Sequence, residues 1–252
     1  MLDALAAVWL NCLATLAVAL CTKTSSRALI DEPDRPDPIA TSEMIHYVLP
    51  ILPGNIFFAL QGQIAVFVIA IVSPGVSVAR VSALSRLGQI FVFLGAFNSV
   101  ALEPWFARSK SSFLYRRFAI AFAVAGFISV AMVVTASLVP NLFLSILGQS
   151  YLNLERELVW FIASSCAGYL IGVVWTACSA RRFLFWRFTW YNMIAILGSQ
   201  IAFAYYFGVA TPLRAVQFGL ASGVASLLVH FANFVYGVRH GPRAKLAMRH
   251  AA

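Results

Sequence analysis

The sequence predicts an all-α protein, a polytopic transmembrane helix bundle of about seven helices. Three observations predict it. Of the 252 residues 61% are hydrophobic and only 11% charged, the mean hydropathy is +0.85, and long apolar stretches follow one another with short connections. A soluble domain of this size needs more polar side chain to cover its surface. Backbone amides cannot go unpaired in lipid, so spans must be helices or barrel strands. Runs this long and continuously apolar are not the short alternating strands of a barrel.

A span needs about 20 apolar residues at helical rise. The candidates are 2–20, 43–72, 76–103, 118–139, 158–178, 189–207 and 213–238. The first has Asp3 and no basic start, and Leu20 precedes Cys21 where a lipoprotein signal needs a small residue, so it is read as a retained span. Residues 21–42, with Pro33, Pro36 and Pro38 among acidic side chains, form a polar linker that proline keeps from being helical. Pro50 and Pro53-Gly54 interrupt the second span and predict a bend or unwinding there. Residues 43–240 then make a six-helix lobe, and 241–252 a basic tail.

The net charge of +9 would raise nucleic-acid binding in a soluble protein. Here the basic residues flank apolar segments, and topology accounts for them. Fourteen of the 18 Lys and Arg lie in the connections after the first, third and fifth spans and in the tail, against Arg80, Arg156 and Arg214 in the other connections and Arg86 inside a span. By the positive-inside rule the N-terminus is outside and the C-terminus cytoplasmic, in a multi-pass protein of the plasma (inner) membrane. Cys12, Cys21, Cys166 and Cys178 have no metal-ligand spacing and read as small buried thiols, with no disulfide, metal or cofactor expected.

Polar residues in the third span carry most of the chemistry. At about 100° per residue, Ser82, Ser85, Arg86, Gln89, Ser99 and Glu103 share one arc, whose middle is Val92, Phe93 and Ala96. Arg86 and Glu103 are roughly 25 Å apart along the axis and cannot pair. Arg86 either snorkels to the outer interface or lines a hydrated cavity, where a planar donor fork suits phosphate. The neighbouring Ser82, Ser85 and Gln89 favour the cavity, with Asn55 beside the Pro-Gly break as a further contributor. Glu103 reads as a charge-pair partner of Arg108 at the cytoplasmic end. Asn192, Gln200, Gln217 and Asn233 read as helix-to-helix bonding groups, and His230, near the inner end of the last span, as a packed or interfacial histidine rather than a proton relay. Trp105, Tyr115, Tyr151, Trp160, Trp186, Trp190 and Tyr236, near span ends, read as interfacial anchors.

Residues 78–91 (Val-Ala-Arg-Val-Ser-Ala-Leu-Ser-Arg-Leu-Gly-Gln-Ile-Phe), followed by 97–108 (Phe-Asn-Ser-Val-Ala-Leu-Glu-Pro-Trp-Phe-Ala-Arg), resemble the eighth helix of polysaccharide and O-antigen flippases. These belong to the multidrug/oligosaccharidyl-lipid/polysaccharide exporter superfamily. Leu147-Gly148-Gln149-Ser150-Tyr151 is similar to a further element of that family, and the likeness runs over about residues 43–240. The resemblance implies the C-terminal lobe of a two-lobe carrier, with residues 1–20 as the last helix of a missing first lobe and 21–42 as the cytoplasmic inter-lobe linker. It also implies a function: translocation of a polyprenyl-diphosphate-linked oligosaccharide for polysaccharide biosynthesis, without enzymatic chemistry, completed by a second lobe or a homodimer partner. Two alternatives stay open, an ion-coupled small-molecule exporter of the same superfamily and a noncatalytic membrane partner of a polysaccharide synthesis complex. A glycosyltransferase is disfavoured because no long outer loop carries paired carboxylates or metal ligands.

Overall fold

The computed structural model describes residues 83–148, 151, 153–209 and 211–249, together with positions 16, 17, 20, 21, 45, 49, 52–54, 56, 57 and 61; Ser111 and 241–249 are described by backbone alone. The chain divides into two compact units, Met1–His46 and Tyr47–Ala252. In the first, the described positions 16, 17, 20, 21 and 45 are helical. Everything below concerns the second. The spans expected at 2–20 and 43–72, with Ser82 and Asn55, lie largely or wholly outside the described residues.

The fold is all-α, with no strand among the described residues. We number the helices α1 (Ala83–Ala107), α2 (Leu114–Leu138), α3 (Pro140–Leu147), α4 (Glu155–Ala180), α5 (Trp186–Phe207) and α6 (Pro212–Arg249). Four of them, α1, α2, α4 and α6, are long and apolar enough to cross a membrane. The expected sixth span forms a helix, α5, but falls outside that group, since the polar Asn192 and Gln200, with Trp190, Tyr191, Tyr205 and Tyr206, lower its hydropathy.

Helix α1 continues past Glu103-Pro104, where its span was expected to end. Proline has no N–H, and its ring collides with the carbonyl four residues earlier. The chain answers with a π-helical stretch at Asn98–Leu102, in which Glu103 N–H donates to Asn98 O across five residues. The wider turn lets Pro104 sit at the start of the next helical segment, Glu103–Ala107. Glu103 and Arg108, expected to pair, form no ion pair: Glu103 lies half-buried on the helix while Arg108 is exposed where the helix ends. Pro53 and Gly54 are helical, not unwound.

The end of α1 is held by arginines counted above only as topology signals. Arg117 donates to Trp105 O at 3.0 Å and to Ser109 Oγ at 2.8 Å. Arg181 donates to Ser109 O at 2.9 Å. The last carbonyls of a helix have no partner within it, and a cation there meets both a hydrogen-bonding need and the negative end of the helix dipole.

Helix α2 buries Leu114, Phe118, Ala121, Ala125, Ser129 and Ala136, one stripe at three- and four-residue spacing, and turns Val124, Phe127, Val130 and Leu138 outward. It stops at Val139, whose backbone, at φ −134° and ψ 62°, has left the helical region that a following proline disfavours. Pro140 then opens α3, an amphipathic helix of about two turns absent from the sequence expectation, which buries Phe143 and Leu144 and ends on Gly148 at φ 100°. That angle favours glycine. Thr211 and Pro212 likewise start α6, with Thr211 Oγ1 accepting from Arg214 N–H at 3.3 Å.

The core has two main clusters, one toward each end. One gathers Leu84, Leu87, Ala136, Leu144, Leu158 and Ile162. The other holds Phe106, Leu114, Phe118, Val173, Phe183 and Phe234, with the Phe118 and Phe234 rings stacked at 3.9 Å between α2 and α6. Consecutive long helices alternate in direction, so the second cluster shares its end of the bundle with Arg108, Lys110, Arg116, Arg117, Arg181, Arg182, Arg187 and Arg239.

Candidate functional site: a polar seam inside an apolar bundle

Helix α5 is built the reverse of a helix in a soluble protein. Its buried residues are Asn192, Ile196 and Gln200, while Ile194, Leu197, Ile201 and Tyr205 are exposed. Helix α6 matches it with Ser222, Ser226, His230 and Asn233, all buried and spaced three or four apart. Buried polar and exposed apolar side chains are what a lipid solvent selects.

What brings the helices this close is glycine. A Cβ on Gly219 would lie 3.3 Å from Ser164 Oγ, and one on Gly223 would lie 3.3 Å from Ala167 Cβ, both on α4. The Gly219-Leu-Ala-Ser-Gly223 spacing is the small-xxx-small pattern that lets membrane helices approach backbone to backbone. It was present in the sequence and is the signal that would have located this interface.

Between α4, α5 and α6 lies a cavity of about 40 Å³, lined by Gly54, Trp175, Thr189, Asn192, His230 and Asn233 among others. The volume suits about one water molecule. His230 Nδ1 lies 2.9 Å from Ser226 O. A carbonyl only accepts, so Nδ1 carries the hydrogen, and in the neutral ring Nε2 is left as an acceptor. The indole of Trp175 packs edge-on to this ring at 5.8 Å. Asn233 Nδ2 donates to Phe183 O at 2.9 Å, leaving Asn233 Oδ1 and Asn192 Oδ1 buried without a partner. The seam is therefore rich in neutral hydrogen-bonding groups. It can orient a water or a small polar group, and among the described residues no cluster of His, Cys, Asp or Glu could hold a metal ion. Cys166 and Cys178 are buried thiols as expected, whereas Cys21 is exposed.

The residues expected to form a site lie elsewhere. Ser85, Arg86 and Gln89 are on the exposed side of α1, and so are Val92, Phe93, Ala96 and Ser99 from the same arc. That polar arc is a face of α1 that the other described helices leave uncovered. Asn55 and Ser82 fall outside the described residues, although Gly54, next to Asn55, lines the cavity and would meet Thr189 Cγ2 at 3.1 Å if it carried a Cβ.

The polar side chain that α1 does bury is Asn98, at 1% exposure, in the π-helical stretch. Its Nδ2 faces Gly172 of α4, where an added Cβ would lie 3.8 Å away, and neither amide atom has a hydrogen-bond partner. Asn98→Leu should therefore stabilise the fold by about 1–2 kcal/mol, read as a higher thermal midpoint of the purified protein. An unchanged or lower midpoint would mean that the amide is hydrogen-bonded in the membrane.

The chain matches no family model, no curated protein and no solved structure. Its class rests on its own features: an all-α bundle with four helices long and apolar enough to cross a membrane, and an apolar exterior around a buried polar seam on α5 and α6. It is a helical membrane protein.

Proposed function

We propose that this chain is a non-enzymatic membrane transport protein, one lobe of a flippase. Its cargo in this reading is an oligosaccharide linked to polyprenyl diphosphate, moved across the plasma (inner) membrane for polysaccharide synthesis. The C-terminus is cytoplasmic and the N-terminus outside. The observation that carries the reading is the uncovered arc of α1, where Ser85, Arg86 and Gln89 are exposed on a helix otherwise apolar enough to span a bilayer. A second lobe, or a second copy, laid over that arc encloses Arg86 in a cavity between the two. A guanidinium there presents its donor fork to a diphosphate while the lipid tail stays in the bilayer. The gathering of Lys and Arg at one end of the bundle supports the orientation.

Binding of lipid-linked oligosaccharide to the protein in proteoliposomes tests this. Arg86→Ala should weaken binding by about tenfold or more, and Arg86→Lys by clearly less, because a charge without the fork remains. Equal, negligible effects from both variants reject the cavity.

The interior seam favours a second reading, an ion-coupled exporter of small molecules, because a cavity of about 40 Å³ beside His230 and Asn192 suits a water or an ion and not a glycan. Efflux of a small cationic substrate by proteoliposomes that bind no lipid-linked sugar would select it.

A further inference from the structure

A second hollow lies on the outside of the bundle, between α1 and α2. It is a groove of about 630 Å³, walled by Leu94, Phe97 and Trp105 of α1 and by Ile120 and Val124 of α2, with Tyr169 of α4 behind. Volumes of about 300–1,000 Å³ are those of ligand sites. From Leu94 to Trp105 the groove follows α1 for roughly 16 Å at helical rise, about half the thickness of a bilayer's hydrocarbon core. It is thus a slot of single-leaflet depth.

Its two ends differ. At the Leu94 end the walls are apolar. At the Trp105 end the Arg117 guanidinium lies 5.3 Å from the centre of the Trp105 ring. Arg108, Lys110 and Arg116 are exposed on the connection and first turn beside it. This is the end of the bundle where the described Lys and Arg collect, and Glu103, half-buried, is the nearest acid in sequence. An apolar slot that opens onto cations at the depth of the headgroups is the complement of an amphiphile with a hydrocarbon chain and an anionic head.

A second copy is a poor occupant by the same geometry. Two copies inserted in the same direction and meeting through this face would bring their Arg108–Arg117 segments together, and like charges facing each other oppose association. An anionic lipid turns the same charge into attraction.

We propose that the α1–α2 groove binds an anionic phospholipid, with one acyl chain along Leu94, Phe97, Ile120 and Val124 and its phosphate at Arg116, Arg117 and Lys110. The inference goes beyond the transport reading: it requires only that α1 and α2 cross a bilayer. The bound lipid closes the gap between the two helices and ties the π-helical half of α1 to α2.

The test uses the full chain in nanodiscs of equal parts phosphatidylglycerol and phosphatidylcholine, extracted into mild detergent and weighed intact by native mass spectrometry. One phosphatidylglycerol should remain bound, preferred over phosphatidylcholine by about tenfold. Val124→Trp changes a residue that is 55% exposed and so leaves the core intact; it fills the slot and should abolish retention without lowering the thermal midpoint. Lys110→Gln with Arg116→Gln should keep a bound lipid but bring the preference to about parity. Equal retention of the two lipids by the unaltered protein, or undiminished retention by Val124→Trp, overturns the proposal. Two further results do so as well: a disulfide between copies through Phe97→Cys that excludes lipid would assign the groove to a second copy, and displacement of phosphatidylglycerol by equimolar polyprenyl phosphate would assign it to a carried lipid.

Discussion

Gly237→Ala will cost about 3 kcal/mol of stability, the largest effect expected from a methyl group added at any of the described glycines. A Cβ at Gly237 would sit 2.5 Å from Cγ and 2.6 Å from Cβ of Phe183. No rotation about χ1 moves a phenylalanine Cβ, so the clash can be relieved only by moving backbone, and the backbone at Phe183 is held from three sides. Its N–H donates to Cys178 O at 2.8 Å, while Arg182 N–H donates to Ser179 O at 2.9 Å. Together these close α4 with a Schellman motif in which Arg182, at φ 56°, takes the left-handed position usually given to glycine. Its carbonyl accepts from Asn233 Nδ2 of α6. The side chain itself is buried in the core. The expected result is a fall in the thermal midpoint and in the yield of monodisperse protein. Gly237→Ala combined with Phe183→Gly should lose less than the two single losses added together, since the second change removes both the ring and the Cβ that the methyl strikes. Strict additivity would show that the contact is not the cause.

Gly223→Leu should destabilise by about 2–3 kcal/mol through a different route. At 3.3 Å from Ala167 Cβ a methyl group demands a shift of only a few tenths of an ångström. Gly223→Ala is therefore expected to be nearly neutral, its crowding offset by the roughly 1 kcal/mol that alanine gains over glycine in a helix. Leucine adds three more carbons and forces α6 away from α4. Ser222 and Ser226 on that helix would then lie at a wedged-open interface, and the polar groups around His230 would lose their enclosure. Thermal midpoints of the two variants should separate clearly, and if leucine proves as harmless as alanine, the approach is set by something other than the glycine stripe.

Much of the architecture was legible. The third, fourth, fifth and last apolar runs became α1, α2, α4 and α6, the last running on past residue 238 to Arg249, because a continuous hydrophobic run of bilayer length has one stable conformation in lipid whatever its neighbours do. The alternation of basic residues between connections reappears as a gathering at one end of the bundle. Asn192, Gln200, Gln217 and Asn233 are expected to bond to neighbouring helices; Asn233 instead donates to Phe183 O in the α4–α5 connection, and His230 bonds Ser226 of its own helix.

The candidate site was less legible, for a physical reason particular to membranes. In water, a polar arc on a helix marks the solvent side. In lipid it can face the bundle's own interior, a partner or an interface, and the arc alone does not distinguish them. The sequence marked Ser85, Arg86 and Gln89 as the polar face of α1, and the fold turns that face outward and buries Asn98 instead. The cavity beside His230 depends on the Gly219 and Gly223 approach to α4, which joins residues more than fifty positions apart.

Composition and hydrophobic run length were enough by themselves to determine an all-α membrane protein and the grouping of its basic residues, since solvation by lipid acts on each segment independently. Tertiary structure alone decided the π-helical turn before Pro104, the arginines that close α1, the fixing of Phe183 under Gly237, and the polar seam of α5 and α6. Each of these is a contact or a backbone adjustment that exists only once particular helices have met.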